Sequence, residues 1–185
     1  MDVRFVSSNR DKFREVAEIL RASGFEVEWT RRVLPEPQAD RLEPVVQAKL
    51  DALPEDRRTY LVEDSGLFLQ GLGGFPGVYS AYIYRTIGLA GILRLLAGRP
   101  RAAVFRTVAG VRQGGRTWST SGTSSGTISP ALRGTGGFGY DPIFIPSGQR
   151  RTFAEMTLEE KNRYSHRGKA IRRAGARLLR EAPKP

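Results

Sequence analysis

The sequence predicts a mixed α/β protein with a long central β-sheet and two lobes that enclose a cleft. In the N-terminal half, short apolar runs alternate with segments of helical periodicity. From Arg101 onward, two long strand-like runs flank Gly114-Gly115, a pair that suits a two-residue hairpin turn. A chain of 185 residues can bury a sizeable core. We therefore expect residues 1–185 to form a single domain of two lobes.

The predicted elements of the N-terminal half begin with a strand at residues 3–6. After Asn9, apolar residues at helical spacing predict a helix that ends near Gly24. The next predicted elements, in chain order, are a strand at 25–29, a Pro-rich loop at 34–37, a short helix at 45–53 and a central strand at 59–62.

After the central strand, the predicted elements are a Gly-rich passage at 71–77, helical segments over 79–97 and hairpin strands at 103–111 and 117–128. A last helix places Ile171, Ala174, Leu178 and Leu179 on one side. Most of its basic residues are expected on a solvated opposite face; the basic residues are Arg167, Lys169, Arg172, Arg173, Arg177 and Arg180. Only residues 182–185 are expected to be disordered.

Composition excludes several classes of site. The chain has no cysteine and one histidine, which rules out disulfides, thiolate metal sites and multi-His zinc sites. We expect a cytoplasmic protein, because the N-terminus lacks a signal pattern and no stretch approaches ~20 apolar residues. The net charge of +11 favours phosphate-bearing partners, which include nucleotides, nucleic acids and anionic membranes.

Glu63-Asp64-Ser65-Gly66 directly follows an apolar run that predicts a buried strand. Ligands of open α/β sheets bind at the carboxyl ends of strands, and adjacent carboxylates there can hold a hard cation such as Mg²⁺. An Asp-Ser-Gly turn beside a solvated Glu is an equally good interpretation of these residues alone.

Two further segments have the chemistry of a nucleotide site. Residues 7–12 lie between the first strand and the first helix, where backbone N–H groups attract anions, although an ordinary N-cap at Asn9 explains the same pattern. Gly134 to Gly139 matches G-x-G-x-x-G, but no strand feeds it and no helix opens from it, so we reject a dinucleotide fingerprint. This loop can instead present Phe138 to a planar base, or form a turn beside core aromatics.

Ser165-His166-Arg167 opens the last helix and follows Lys161. His166 and Arg167 supply hydrogen-bond donors for carbonyl or phosphate oxygens, although a capped helix start is the simpler interpretation of this motif alone.

No G-x-x-x-x-G-K-[ST] string is present, which disfavours a Walker-type NTPase.

Taken together, five motifs resemble, in the same order, the inosine triphosphate pyrophosphatase family, whose members hydrolyse non-standard purine nucleoside triphosphates. They are Ser7-Ser8-Asn9-Arg10-Asp11-Lys12 for [ST]-x-N-x-x-K, Glu63-Asp64-Ser65-Gly66 for [ED]-D-S-G, Gly74-Phe75-Pro76-Gly77-Val78-Tyr79-Ser80 for G-x-P-G-x-Y-S, Gly137-Phe138-Gly139-Tyr140-Asp141-Pro142-Ile143-Phe144, and Ser165-His166-Arg167.

The resemblance implies a Mg²⁺-dependent enzyme that converts ITP, dITP or XTP to the monophosphate and pyrophosphate, and so keeps these nucleotides out of DNA and RNA. It also implies a homodimer, with no membrane and no stable nucleic-acid partner. It implies metal binding by Glu36 and Asp64, with Asp64 also the catalytic proton acceptor. The implied substrate-binding residues are Ser7, Ser8, Asn9, Arg10, Asp11, Lys12, Ser65, Phe138, Gly139, Tyr140, Asp141, Lys161, His166 and Arg167.

The chain departs from the bacterial pattern at one place, where Val46-Gln47-Ala48 replaces Glu-Asn-Ala. Glu43 and Glu63 are therefore alternative metal ligands. Two other functions stay open at this point. One is a related pyrophosphatase for a pyrimidine or modified nucleotide, and the other is a nucleic-acid binder whose basic charge follows a phosphate backbone.

Overall fold

The computed structural model describes residues 1–181. Within them the chain forms a mixed α/β fold, as predicted. The strands are β1 (Asp2–Val6), β2 (Glu26–Thr30), β3 (Thr59–Leu69), β4 (Pro76–Gly77), β5 (Ala102–Gln113), β6 (Arg116–Ile128) and β7 (Phe144–Pro146). The helices are α1 (Arg10–Arg21), α2 (Leu42–Asp51), α3 (Ser80–Thr86), α4 (Gly88–Leu95), α5 (Leu158–Tyr164) and α6 (His166–Glu181).

The strands form one mixed sheet in the order β2-β1-β3-β5-β6-β7, with β4 paired to β3. β1 is parallel to β2 and β3, whereas the other pairs are antiparallel. The β5–β6 hairpin turns at Gly114 and Gly115, whose φ angles of 54° and 78° suit a type I′ turn. The predicted long sheet and its hairpin are confirmed.

The predicted end of the central strand at residue 62 is wrong, because β3 continues to Leu69. Its polar residues do not end the strand, since β5 pairs with it along the whole length, from Thr59↔Gln113 to Leu69↔Ala103. The parallel pairing with β1 stops at Phe5↔Leu61. Glu63 and Asp64 therefore lie inside a strand, just beyond the point where it loses its β1 neighbour.

Three apolar clusters hold the fold together. The first joins α1 and α6 to one face of the sheet, the second joins α2 to the opposite face, and the third lies under α4 and β7 at the far end of β3. Fully buried large side chains include Phe5, Leu61, Leu50, Leu67 and Phe144. Each such side chain contributes roughly 1.5–3 kcal/mol through burial, so the clusters fix the strands that carry the cleft residues.

The predicted helical segments over 79–97 are observed as α3 and α4, which are separated just before Gly88, a residue with a φ of 62°. Local predictions for the last helix need correction. In α6, Leu179 is 53% exposed, so its predicted place on the apolar face is wrong. Arg167 is buried and is an exception among the basic residues of this helix. Arg167 is drawn inward by ion pairs with Glu15 and Glu63. The predicted disorder at 182–185 lies outside the described residues. Among residues 1–181, no helix is long and apolar enough to cross a bilayer.

Candidate active site

A cleft of about 780 Å³ opens where β3 extends past the end of β1. Its walls come from the start of α1, the loop before α2, the middle of β3, helix α3, the 137–141 loop and the α5–α6 junction. The structure brings together these residues singled out from the sequence: Asn9, Asp11, Lys12, Glu36, Asp64, Ser65, Phe138, Gly139, Tyr140, Asp141, Lys161, His166 and Arg167. Ser7, Ser8 and Arg10 do not line the cleft.

The start of α1 is organised by its cap. Asn9 Oδ1 accepts hydrogen bonds from the backbone N–H groups of Asp11 at 2.9 Å and Lys12 at 3.0 Å. Ser7 Oγ accepts from the Asn9 N–H, and so supports the cap from behind. Lys12, in the first turn, then reaches Glu63 Oε1 at 2.6 Å. This end of the helix thus presents a cation and a positive dipole end to the cleft.

Two carboxylates meet at one ammonium group. Lys49 Nζ lies 2.7 Å from Asp64 Oδ1 and 2.8 Å from Glu36 Oε1, and it also donates to the Glu63 carbonyl oxygen. Burial raises the pKa of Asp64 more than Lys49 lowers it. Burial also works against the Lys49 charge, but Asp64 and Glu36 together raise the Lys49 pKa. The Asp64 carboxyl is therefore a stronger proton acceptor than an ordinary aspartate.

Sequence reasoning missed Lys49. Its signal is a lysine on the buried side of α2, four residues after Val45 and next to Leu50. A lysine is almost never fully buried unless it is paired. That position in the apolar pattern could have indicated an acidic partner, although not which one.

Glu63 points to the opposite face of β3 from Asp64, as successive strand residues do. It is buried, and it pairs with Lys12 and with Arg167 Nη2 at 3.4 Å. Burial acts to raise the Glu63 pKa, but Arg167 and Lys12 hold it far below its ordinary value. The other alternative ligand, Glu43, pairs with Arg106 outside the cleft lining. Within residues 1–181, no group of three or more His, Asp or Glu side chains is arranged for a metal.

The opposite end of the cleft is built around Phe138. Lys161 Nζ lies 4.8 Å and the Arg167 guanidinium carbon 5.5 Å from the centre of its ring. The Asp141 carboxylate accepts the Phe138 N–H at 2.7 Å and pairs with Lys161. Tyr140 is buried and donates its hydroxyl to the Ser80 carbonyl oxygen, which ties this loop to α3. The loop therefore holds the partly buried aromatic ring in a fixed place.

Glu15 of α1 pairs with both cations that lie over Phe138, and it was also missed. Its two carboxylate oxygens lie 2.5 Å from Lys161 Nζ and 2.6 Å from Arg167 Nη1. Burial acts to raise the Glu15 pKa, but Arg167 and Lys161 lower it overall. The available signal was an acid beside Val16 and Ala17 on the buried side of α1.

His166 is buried and stacks on Phe105, with ring centres 4.3 Å apart and planes 7° apart. Burial, followed by the charges of Arg167 and Lys161, lowers its pKa well below the ordinary value. The imidazole is therefore neutral at pH 7. Its Nδ1, and the Nε of Arg167, are buried without hydrogen-bond partners within residues 1–181.

Helix α3 forms a wall of the cleft that the sequence interpretation left without a role. Tyr79, Tyr82, Tyr84 and Arg85 line it, and Tyr82 is 59% exposed. Tyr84 packs edge-on against Tyr140, with ring centres 5.7 Å apart. The G-x-P-G-x-Y-S motif marks the start of this wall, but nothing in the sequence indicated that the following helix faces a ligand.

Comparisons with known proteins agree with this architecture. A family model described as the Ham1 family matches residues 3–176. A dITP/XTP pyrophosphatase of Pyrococcus horikoshii is 51% identical over 177 residues, covering 93% of this chain and 94% of its own. A dITP/XTP pyrophosphatase of Hyperthermus butylicus is 43% identical and covers 99% and 97%. The Ham1 protein structure from Staphylococcus aureus superposes with a TM-score of 0.80 at 28% identity, covering 97% of this chain and 100% of that one.

Proposed function

Because the chain belongs to the Ham1 family, we propose that it hydrolyses non-standard purine nucleoside triphosphates, namely dITP, XTP and ITP, to the monophosphate and pyrophosphate. The observation that carries the proposal is a single cleft with a carboxylate pair at one place and an aromatic, cation-rich subsite at another. Relatives of 43–51% identity over almost the whole chain are named dITP/XTP pyrophosphatases, which supports the substrate class.

Mg²⁺ is part of the proposal. Glu36 and Asp64 offer oxygen donors that already share one cation, the Lys49 ammonium. Mg²⁺ in phosphate enzymes is commonly held by one or two carboxylates together with substrate phosphates and water, so this donor set fits. When bound, Mg²⁺ would neutralise phosphate charge and favour the departure of pyrophosphate.

In the proposed reaction a water oxygen attacks the α-phosphorus in line with the bond to the β-phosphate. A new phosphorus–oxygen bond forms, the bridging bond breaks, and pyrophosphate leaves. Asp64 takes the proton of the attacking water, a task that its raised pKa suits. Lys49 holds the Asp64 and Glu36 carboxylates close together. Lys12 would face the phosphates from the start of α1.

Arg85 gives further support for a polyphosphate ligand. Lys12, Lys161 and Arg167 already pair with carboxylates, whereas Arg85 is the cleft-lining cation that makes no ion pair among residues 1–181. An arginine of this kind can pair with phosphate oxygens in a bidentate manner.

Base selection is proposed to depend on His166 and Arg167. Both side chains line the cleft and carry hydrogen-bond donors. These donors suit the 6-keto oxygen of hypoxanthine or xanthine, whereas adenine would place a 6-amino group against them. Leaving buried donors unpaired costs about 1–3 kcal/mol, or up to about a hundredfold in rate.

A nucleotide panel tests this function. Pyrophosphate release in the presence of Mg²⁺ is measured with ITP, XTP, dITP, GTP, ATP and dTTP for the wild type and for His166→Gln. We expect fast release from the inosine and xanthosine nucleotides alone, and at least about a tenfold smaller ITP over ATP preference in the variant. No release from any of the six would refute the function, and an unchanged preference would remove His166 from base selection.

We also propose a cytoplasmic homodimer that keeps such nucleotides out of DNA and RNA. The motif resemblance supports this part of the proposal, and light scattering of the purified chain tests the dimer. A monomer at micromolar concentration would contradict it.

A further inference from the structure

Thr107 is completely buried on β5, directly opposite Ser65 of β3. The two hydroxyl oxygens are 2.6 Å apart, and Ser65 is the hydrogen-bond partner found for the Thr107 hydroxyl within residues 1–181. Thr107 does not line the cleft. Its hydroxyl therefore acts on the cleft only through Ser65.

The direction of this hydrogen bond follows from the partners of Ser65. Ser65 Oγ lies 2.5 Å from Glu63 Oε2, and Arg167 Nη2 lies 3.2 Å from Ser65 Oγ. Glu63 forms ion pairs with Lys12 at 2.6 Å and with Arg167 at 3.4 Å, and a carboxylate paired with two cations can only accept hydrogen bonds. Ser65 must donate its single proton to Glu63, and Arg167 can only donate to Ser65. Thr107 is consequently the donor to Ser65.

The hydroxyl of Ser65 is thereby saturated, with one bond donated and two accepted. One of the accepted bonds comes from Arg167 Nη2 and fixes that end of the guanidinium group. The Nε of the same group is buried and has no hydrogen-bond partner within residues 1–181. A hydroxyl that rotated away would release this guanidinium end from Ser65, although Glu15 and Glu63 would still hold its charge.

We propose that Thr107 is a positioning residue that orients the Ser65 hydroxyl and, through it, Arg167 toward a nucleotide in the cleft. The inference rests on the proposed function for its ligand and on the hydrogen-bond geometry for its mechanism. Thr107 of β5 thereby contributes to substrate recognition without touching the substrate itself.

The test compares Thr107→Val, which keeps the shape and loses the hydroxyl, with Thr107→Ser, which keeps the hydroxyl. Thr120→Val is the control, because Thr120 of β6 donates to the Ala170 carbonyl oxygen of α6 and does not line the cleft. Loss of one hydrogen bond should raise the KM for dITP about three- to tenfold in Thr107→Val. Thr107→Ser should restore the wild-type value, and Thr120→Val should leave KM unchanged.

An unchanged KM in Thr107→Val, or equal impairment in Thr107→Val and Thr107→Ser, would overturn the proposal. Crystal structures of the wild type and Thr107→Val separate this proposal from the proposed function. We expect the Arg167 guanidinium to move away from Ser65 in the variant, whether or not dITP is a substrate. Coincident Ser65 and Arg167 side chains in the two structures would refute the positioning role, whereas inactivity of the wild type toward every nucleotide would refute only the function.

Discussion

At the scale of single residues, the cleft consists of charges that neutralise one another across long distances in the chain. Lys161 and Glu15 are 146 positions apart, and Arg167 and Glu63 are 104 apart. Sequence motifs could indicate Lys161 and Arg167, because these lie in recognisable strings. They could not indicate Glu15 or Lys49, because the need for a counter-charge arises only when distant elements pack together.

His166 gives the sharpest residue-scale test, because it is the only histidine of the chain. Because its pKa is lowered by burial, its imidazole should give one NMR signal that keeps the neutral chemical shift as the pH falls through the ordinary histidine pKa near 6.5. The unfolded state binds the extra proton, so this residue's contribution to the free energy of unfolding decreases as the pH falls below about 6.5. A titration midpoint near 6.5 would contradict the buried, neutral assignment.

At the scale of elements, prediction succeeded where the determinants are local and failed where they are not. Helix α1 was predicted from Asn9 and the spacing of Phe13, Val16 and Leu20, and its cap and apolar face are both observed. The end of β3 was mispredicted because Glu63 and Asp64 look like a turn, whereas β5, more than forty residues later in the chain, supplies their strand partners. Non-local pairing thus decided whether the acids ended the strand or lay within it.

The contact between α6 and β6 has a test of its own at Gly122. A Cβ at this position would lie 2.2 Å from the His166 carbonyl oxygen and 2.5 Å from the Ala170 backbone nitrogen. Gly122→Ala must push the start of α6 away from the sheet, which should lower the free energy of unfolding by about 1–3 kcal/mol in urea titrations. Ser121→Ala, at an exposed neighbour, should stay within about 0.5 kcal/mol of the wild type. Equal stability of the two variants would show that α6 does not pack this closely.

At the scale of the whole molecule, part of the net charge of +11 comes from basic side chains of α6 that contact β6. Lys169 and Arg173 of α6 donate to the carbonyl oxygens of Thr123 and Ser121 on β6. Arg177 lies over the Trp118 ring at 4.3 Å. These basic side chains therefore cover the outer edge of β6, a position where unpaired backbone groups favour aggregation. They are not simply a solvated face, and they do not by themselves require a nucleic-acid partner.

The cleft has two carboxylates, Glu36 and Asp64, at one place and the aromatic subsite around Phe138 at another. Motif order in the sequence was enough to predict the fold class and the family, since both depend on strings that can be recognised one at a time. The ion pairs, the α3 wall and the hydroxyl pair of Ser65 and Thr107 depend on tertiary packing and could not be predicted in that way.

The proposed hydrolysis at Asp64 is tested by the product that the wild type, Asp64→Asn and the control Asp51→Asn form from dITP with Mg²⁺. Asp51 is exposed at the end of α2, where it accepts a hydrogen bond from Gln47. We expect the wild type and Asp51→Asn to release one pyrophosphate per dITP at similar rates, and Asp64→Asn to be slower by about 10²–10⁴-fold with an unchanged fold. Near-normal release by Asp64→Asn, or orthophosphate as the wild-type product, would contradict the account.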